Sequence, residues 1–80
     1  MFINRASDGK NNICGKNIAL IRKSMNISQR ILAERLQIQG LDVDKNAIQR
    51  VESGERFVTD IELLAFSKVL NKSLIELLEE

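Results

Sequence analysis

The chain has 80 residues, of which 44% are apolar and 29% charged, and its net charge is +1. This length suits one domain and this balance is typical of a folded protein, which excludes a second domain and a disordered chain. A single cysteine and no histidine exclude an intrachain disulfide and a zinc site, and no apolar run approaches the roughly 20 residues of a membrane-spanning helix.

Residues 1–12 are polar and show no periodicity. Such a stretch is typical of a chain end without regular structure. We therefore predict a flexible N-terminal arm over residues 1–12 and a folded domain over residues 13–80. The arm lacks the apolar core of a secretory signal, so we expect a cytoplasmic protein without membrane contact.

The spacing of apolar residues after the arm predicts helices. Ile18, Ile21 and Met25 recur three and four residues apart, and no segment alternates in the pattern of a strand. The fourth helix has the broadest apolar face and is expected to be the central member of the core. We predict an all-α bundle of five helices, over about residues 15–25, 28–39, 45–53, 60–71 and 74–79.

Residues that commonly begin and end helices support these bounds. Ser28 and Asp44 can accept hydrogen bonds from the free amides of a first helical turn. Thr59 and Ser73 are each followed three residues later by a glutamate, which is the spacing of a capping box. Gly54 lies where a left-handed residue would end the third helix.

The charges nearly cancel but are unevenly distributed. Residues 16–56 carry eight basic and five acidic residues, a net charge of +3, whereas residues 57–80 carry two basic and five acidic residues, a net charge of −3. This asymmetry would orient the molecule on a polyanion. Two ordinary solvated surfaces would give the same counts.

The third predicted helix has an apolar side, formed by Ile48 and Val51, and a polar side. The polar side consists of long or amide side chains: Lys45, Asn46, Gln49 and Arg50. Lysine and arginine can bind guanine or phosphate, and asparagine and glutamine can pair with adenine. Because the major groove of B-DNA admits one helix, this pattern indicates duplex DNA as a partner.

A set of residues spread over about residues 13–79 resembles a known family. The set is Ile13–Ile18 with Arg22, Ile27–Gln29, Leu32–Ala33, Val43–Asp44, Ala47–Ile48, Val51–Gly54, Leu63, Ala65, Lys68, Leu70 and Leu77–Leu78. It resembles the phage-repressor-type helix-turn-helix domains, such as those of the lambda and 434 repressors and Cro. The resemblance implies a repressor-like bundle and a transcriptional regulator that reads duplex DNA with the helix at 45–53.

The resemblance also implies roles for single residues at the DNA. On the reading helix, Lys45, Asn46 and Arg50 would contact bases, and Gln49 would contact a base or a phosphate. The implied phosphate contacts are Gln29, Ser53, Arg56 and the amides of residues 54–56.

Two further expectations concern the scaffold and the assembly. The resemblance implies an ion pair between Arg22 and Glu52, which would tie the first helix to the end of the third. One short helix reads few base pairs, so we expect a homodimer. Its surface is expected on the last helix, around Leu74, Leu77 and Leu78.

The chain departs from the family pattern in one place. Eighteen residues separate Ala33 from Glu52, which is more than is usual in the family. Residues 37–42 are therefore expected to extend the second helix or the turn after it. Such an extension would change how deeply the third helix enters the groove.

Two other classes of function compete with DNA reading. The same fold could serve as an antitoxin or an adaptor that binds a protein partner, although a neutral or acidic third helix would then be expected. An enzyme is not expected, because there is no histidine, no ligand cluster and no glycine-rich phosphate loop. We predict neither a metal nor a cofactor.

Overall fold

The computed structural model describes residues 4–80, and within that range it contains five α-helices and no strand. The helices are α1 (Cys14–Ser24), α2 (Gln29–Ile38), α3 (Lys45–Ser53), α4 (Asp60–Leu70) and α5 (Leu74–Leu78). The predicted number and order of helices are confirmed. The predicted bounds differ by one residue at several ends, mostly because the flanking cap residues Ser28, Gln39, Asn71 and Glu79 were counted as helical.

The helix starts depend on the side chains that the sequence indicated. The Ser28 hydroxyl accepts a hydrogen bond from the Ile31 amide at 3.1 Å, and an Asp44 carboxylate oxygen accepts one from the Ala47 amide at 2.8 Å. A capping box is present at the start of both α4 and α5. These bonds supply acceptors for amides that have none within the helix.

Four helices end in the same way, with a left-handed residue followed by a tight turn. The left-handed residues are Asn26, Gly40, Gly54 and Asn71. After α2, for example, the Leu41 amide donates to the Leu36 carbonyl at 3.0 Å, which is the hydrogen bond of a Schellman motif. The two asparagines take a role that the sequence analysis assigned to glycine alone.

The centre of the core lies where α1, α2 and α3 meet. Ile18, Leu32, Leu36 and Ile48 are completely buried there. The prediction that α4 is the central helix is wrong. Only Phe66 and Leu70 of α4 are buried, and the rest of its broad apolar face is partly or largely exposed.

A close approach of α1 to α3 depends on Gly15. A Cβ atom at this position would lie 2.0 Å from the Val51 carbonyl oxygen, so no larger residue fits without moving α1. The neighbouring Cys14 is buried, and this burial raises the pKa of its thiol to about 11.

The link between α2 and α3 is longer than the three or four residues usual between such helices. It runs from Gln39 to Asp44, so part of the extra length lies in the turn. Val43 is buried, and the Gln37 side-chain amide donates to the Val43 carbonyl at 2.8 Å. The extended turn is therefore attached to the core.

The short helix α5 packs against α1. The Asn17 side-chain amide donates to the carbonyls of Leu77 at 2.8 Å and Glu79 at 2.7 Å. Leu77 is 0% exposed, so the prediction that it lies on a dimer surface is wrong. Within the part of the chain that is described, no helix is long and apolar enough to cross a membrane.

The N-terminal stretch is partly held by the domain. Residues 1–3 of the predicted arm lie outside the described residues, and residues 6–10 form a turn in which the Gly9 amide donates to the Ala6 carbonyl at 2.9 Å. Asn11 and Asn12 bond to the end of α3 and the loop after it. These two residues thus pack with the domain that was predicted to begin at residue 13.

Candidate nucleic-acid interface

The outer face of α3 is open to solvent. Ile48 and Val51 on its inner side are only 0% and 3% exposed. The side chains on its outer side are exposed, and none forms a hydrogen bond or ion pair with another of residues 4–80: Lys45, Asn46, Gln49 and Arg50. Their donors and acceptors must therefore find partners in water or in a bound molecule.

The backbone amides at the end of α3 donate hydrogen bonds within the protein. The amides of Glu55 and Arg56 both donate to the Arg50 carbonyl, at 3.0 and 3.2 Å, and the Gly54 amide donates to the Val51 carbonyl at 3.1 Å. The prediction that the amides of residues 54–56 bind phosphate is therefore wrong, because these amides already have acceptors.

An ion pair joins α1 to the last turn of α3. Arg22 donates to both carboxylate oxygens of Glu52, at 2.7 and 3.1 Å, and to the Ile27 carbonyl at 2.9 Å. The two side chains are only 11% and 8% exposed. A two-bond pair of this kind holds α3 at a defined orientation to α1.

Glu52 also holds Gln29, the first residue of α2. The Gln29 side-chain amide donates to a Glu52 carboxylate oxygen at 2.9 Å. An amide nitrogen has two hydrogens, so a second donor remains for another partner. The sequence analysis missed this bond, since 23 residues separate the two positions and no local spacing connects them.

One side of α3 is basic. A groove at the starts of α2 and α3 is lined by Arg22, Ser28, Gln29, Arg30 and Lys45. Arg30 and Lys45 are exposed cations, and the start of α2 adds the positive end of a helix dipole. We call Gln29, Arg30 and Lys45 the basic flank, which has the chemistry of a phosphate site.

The other side of α3 is acidic, which the sequence analysis did not anticipate. A groove of about 750 Å³ lies there, and three carboxylates line it beside Arg50 and Arg56. We call these residues the acidic flank: Asp42, Asp44 and Glu55. Asp42 belongs to the extension at residues 37–42, so the added residues contribute one negative charge beside α3.

Two predicted phosphate contacts lie at or after the end of α3. The Ser53 hydroxyl is exposed and donates to the Arg50 carbonyl at 3.1 Å. The Arg56 guanidinium pairs with Glu62 at 2.9 Å and is 34% exposed. Because the guanidinium has five N–H groups, this pair leaves donors for a phosphate.

A family model described as helix-turn-helix matches residues 18–77, three quarters of the chain. The chain belongs to the helix-turn-helix family. The matched range contains α2, α3 and the turn between them, and it extends from α1 into α5. The resemblance to the Cro and repressor type is thereby confirmed, and this helix-turn-helix protein is a DNA-binding regulator. No curated protein and no solved structure gave a significant match.

Proposed function

We propose that this helix-turn-helix protein regulates transcription by inserting α3 into the major groove of a specific duplex. The observation that carries the proposal is the polar face of α3, whose four side chains have no partner among the described residues. In this arrangement Lys45, Asn46 and Arg50 bind base edges, and Gln49 binds a base or a phosphate.

Gln29 and Arg30 of the basic flank bind the DNA backbone in this proposal, while Lys45 beside them binds a base edge. Gln29 donates its second amide hydrogen to a phosphate while Glu52 holds the first. Arg30 attracts the phosphates, and the carboxylates of the acidic flank repel them. Arg56 binds the backbone beyond the end of α3, and Ser53 does so when its hydroxyl rotates away from the Arg50 carbonyl.

The active form in this proposal is a homodimer on two half-sites one helical turn apart or a multiple of it. The corrected dimer surface uses the exposed side of α5, which consists of Leu74, Ile75 and Leu78. Exposed apolar side chains on neighbouring turns are typical of an interface.

Selection of bound duplexes from a random pool tests the proposed function. We expect a two-fold symmetric site, and binding that weakens as salt is raised. Failure to enrich any duplex at low salt would contradict the proposal. An enriched site without symmetry would contradict the dimer.

A protein-binding role as an antitoxin or adaptor is the second candidate. It is favoured by a groove between α4 and the link after α2, in which Leu41, Ile61 and Leu64 present apolar surface. An isolated chain that enriches no duplex, but gains DNA binding with a partner protein, would favour this role.

A further inference from the structure

Asn12 links the start of α1 to the loop after α3. Its side-chain oxygen Oδ1 accepts from the Gly15 amide at 2.8 Å. Its side-chain amide donates to the Val51 carbonyl at 3.0 Å and to the Arg56 carbonyl at 2.7 Å. One side chain therefore connects the N-terminal stretch, the last turn of α3 and the loop.

Asn11 and Lys10 strengthen this connection. The Asn11 backbone amide donates to the Gly54 carbonyl and its side-chain amide to the Glu55 carbonyl, both at 2.8 Å. Lys10 lies over Gly54 so closely that a Cβ atom there would be 2.5 Å from the Lys10 side chain. Residues 10–12 thus cover the end of α3.

The loop after α3, which Asn11 and Asn12 hold, includes Arg56, and Arg56 is proposed to bind the DNA backbone. Asn12 fixes the Arg56 carbonyl, and Glu62 fixes one arm of the Arg56 guanidinium at 2.9 Å. Because the Arg56 main chain and one of its guanidinium nitrogens are both held, the remaining guanidinium N–H groups can point in only a narrow range of directions. The amides of residues 54–56 have acceptors already, and Arg56 supplies the positively charged side chain of this loop.

We propose that Asn12 is a positioning residue for DNA binding, which acts by holding Arg56 toward a phosphate. This inference rests on the proposed function. Asn12 itself does not contact DNA in this account. Its effect on affinity passes through Arg56, so it should vanish when the Arg56 side chain is removed.

A double-mutant cycle tests this dependence, with the duplex that the parent selects from a random pool as the probe. Asn12→Ser removes the side-chain amide that donates to both carbonyls and keeps a hydroxyl that can accept a hydrogen bond at the start of α1. We expect Asn12→Ser and Arg56→Ala each to weaken binding about tenfold, and the double variant to bind no more weakly than Arg56→Ala. The salt dependence should also become less steep in Asn12→Ser, because a cation on a phosphate contributes about 0.9 to the slope.

Asn17→Ser is the matched control. It removes the same kind of paired bond to two carbonyls, those of Leu77 and Glu79, away from α3. Because these carbonyls belong to α5 and the residues after it, which are assigned to the dimer, any effect of Asn17→Ser on affinity passes through dimerisation. We expect this effect to combine additively with that of Arg56→Ala. Circular dichroism at the assay temperature shows whether each variant is folded.

The outcomes separate this inference from the proposed function. If the parent selects no duplex, both are overturned. If the parent binds but the effects of Asn12→Ser and Arg56→Ala multiply to about a hundredfold, or Asn12→Ser has no effect, only the positioning role is overturned. If Asn12→Ser does not fold, Asn11→Ala replaces it, and its smaller loss of affinity must likewise vanish in the Arg56→Ala background.

Discussion

The proposed contacts on DNA are of two kinds. The side chains of Asn46 and Arg50 contact bases, whereas the side chain of Gln29 contacts a phosphate. We expect Asn46→Ala and Arg50→Ala each to relax base preference at one position of the site, by about 1–3 kcal/mol. We expect Gln29→Ala to weaken all duplexes alike, since a phosphate is the same at every base pair. Competition binding with singly substituted duplexes measures both effects, and uniform weakening by Arg50→Ala would contradict a base contact.

Glu52 is the single residue on which the scaffold depends most. Glu52→Gln leaves the Arg22 cation largely buried without its counter-ion, so we expect the free energy of unfolding to fall by about 3 kcal/mol. Urea denaturation measures this change. Glu76→Gln is the matched control, because Glu76 pairs with Lys72 only at the surface, at 3.8 Å. Equal effects of the two variants would contradict a central role for the Arg22–Glu52 pair.

Sequence reasoning succeeds for single residues where the signal is local. The inward orientation of Ile48 and Val51, and hence the exposure of Asn46 and Arg50, follows from helical period alone. The bond of Gln29 to Glu52 does not, because it joins positions 23 residues apart whose meeting depends on how helices pack. The long-range contacts of Asn12 have the same origin.

At the scale of helices, the packing of α1 against α3 is set by Gly15. Helix propensity alone predicts that Gly15→Ala stabilises α1 by up to about 1 kcal/mol. The Val51 carbonyl oxygen occupies the place of the new methyl group, so we expect destabilisation instead. Thermal unfolding shows the sign of the change. Stabilisation by Gly15→Ala would contradict the close approach of the two helices.

The first and last residues of the helices were easier to predict than the position of each helix in the core. Cap side chains such as Asp44 and Thr59 mark the starts directly, whereas the ends at Asn26 and Asn71 were not foreseen, since asparagine adopts the left-handed conformation less regularly than glycine. Which helix lies at the centre depends on how the five apolar faces meet. For this reason the expectation that α4 is the central helix, and that Leu77 lies on the surface, is wrong.

At the scale of the whole molecule, α5 and α4 both present apolar side chains, but only α5 is assigned to the dimer. We expect Ile75→Glu, at a position 75% exposed, to give a monomer that binds the selected duplex more weakly. Ile61→Glu on α4 is the matched control and should leave the dimer intact. Sedimentation measures both variants. A parent that sediments as a monomer at all concentrations, or an unchanged Ile75→Glu dimer, would contradict the α5 interface.

The charges of the whole molecule constrain how it lies on DNA. The net charge is only +1, so the basic flank and the reading helix must meet the duplex while the C-terminal helices are directed away. Arg50 and Arg56, which line one groove with the acidic flank, offset the repulsion between its carboxylates and the phosphates. The extended turn adds the Asp42 carboxylate to the acidic flank, and no local pattern in the sequence showed where it would lie. Orientation therefore follows from the fold rather than from composition.

Methylation interference on the selected duplex tests most directly whether α3 reads the major groove. Dimethyl sulfate modifies guanine in the major groove and adenine in the minor groove. We expect interference at guanines in each half-site, and loss of interference at one of them in Arg50→Ala. Interference confined to adenines, or a guanine pattern that Arg50→Ala and Asn46→Ala leave unchanged, would contradict the insertion of α3 into the major groove.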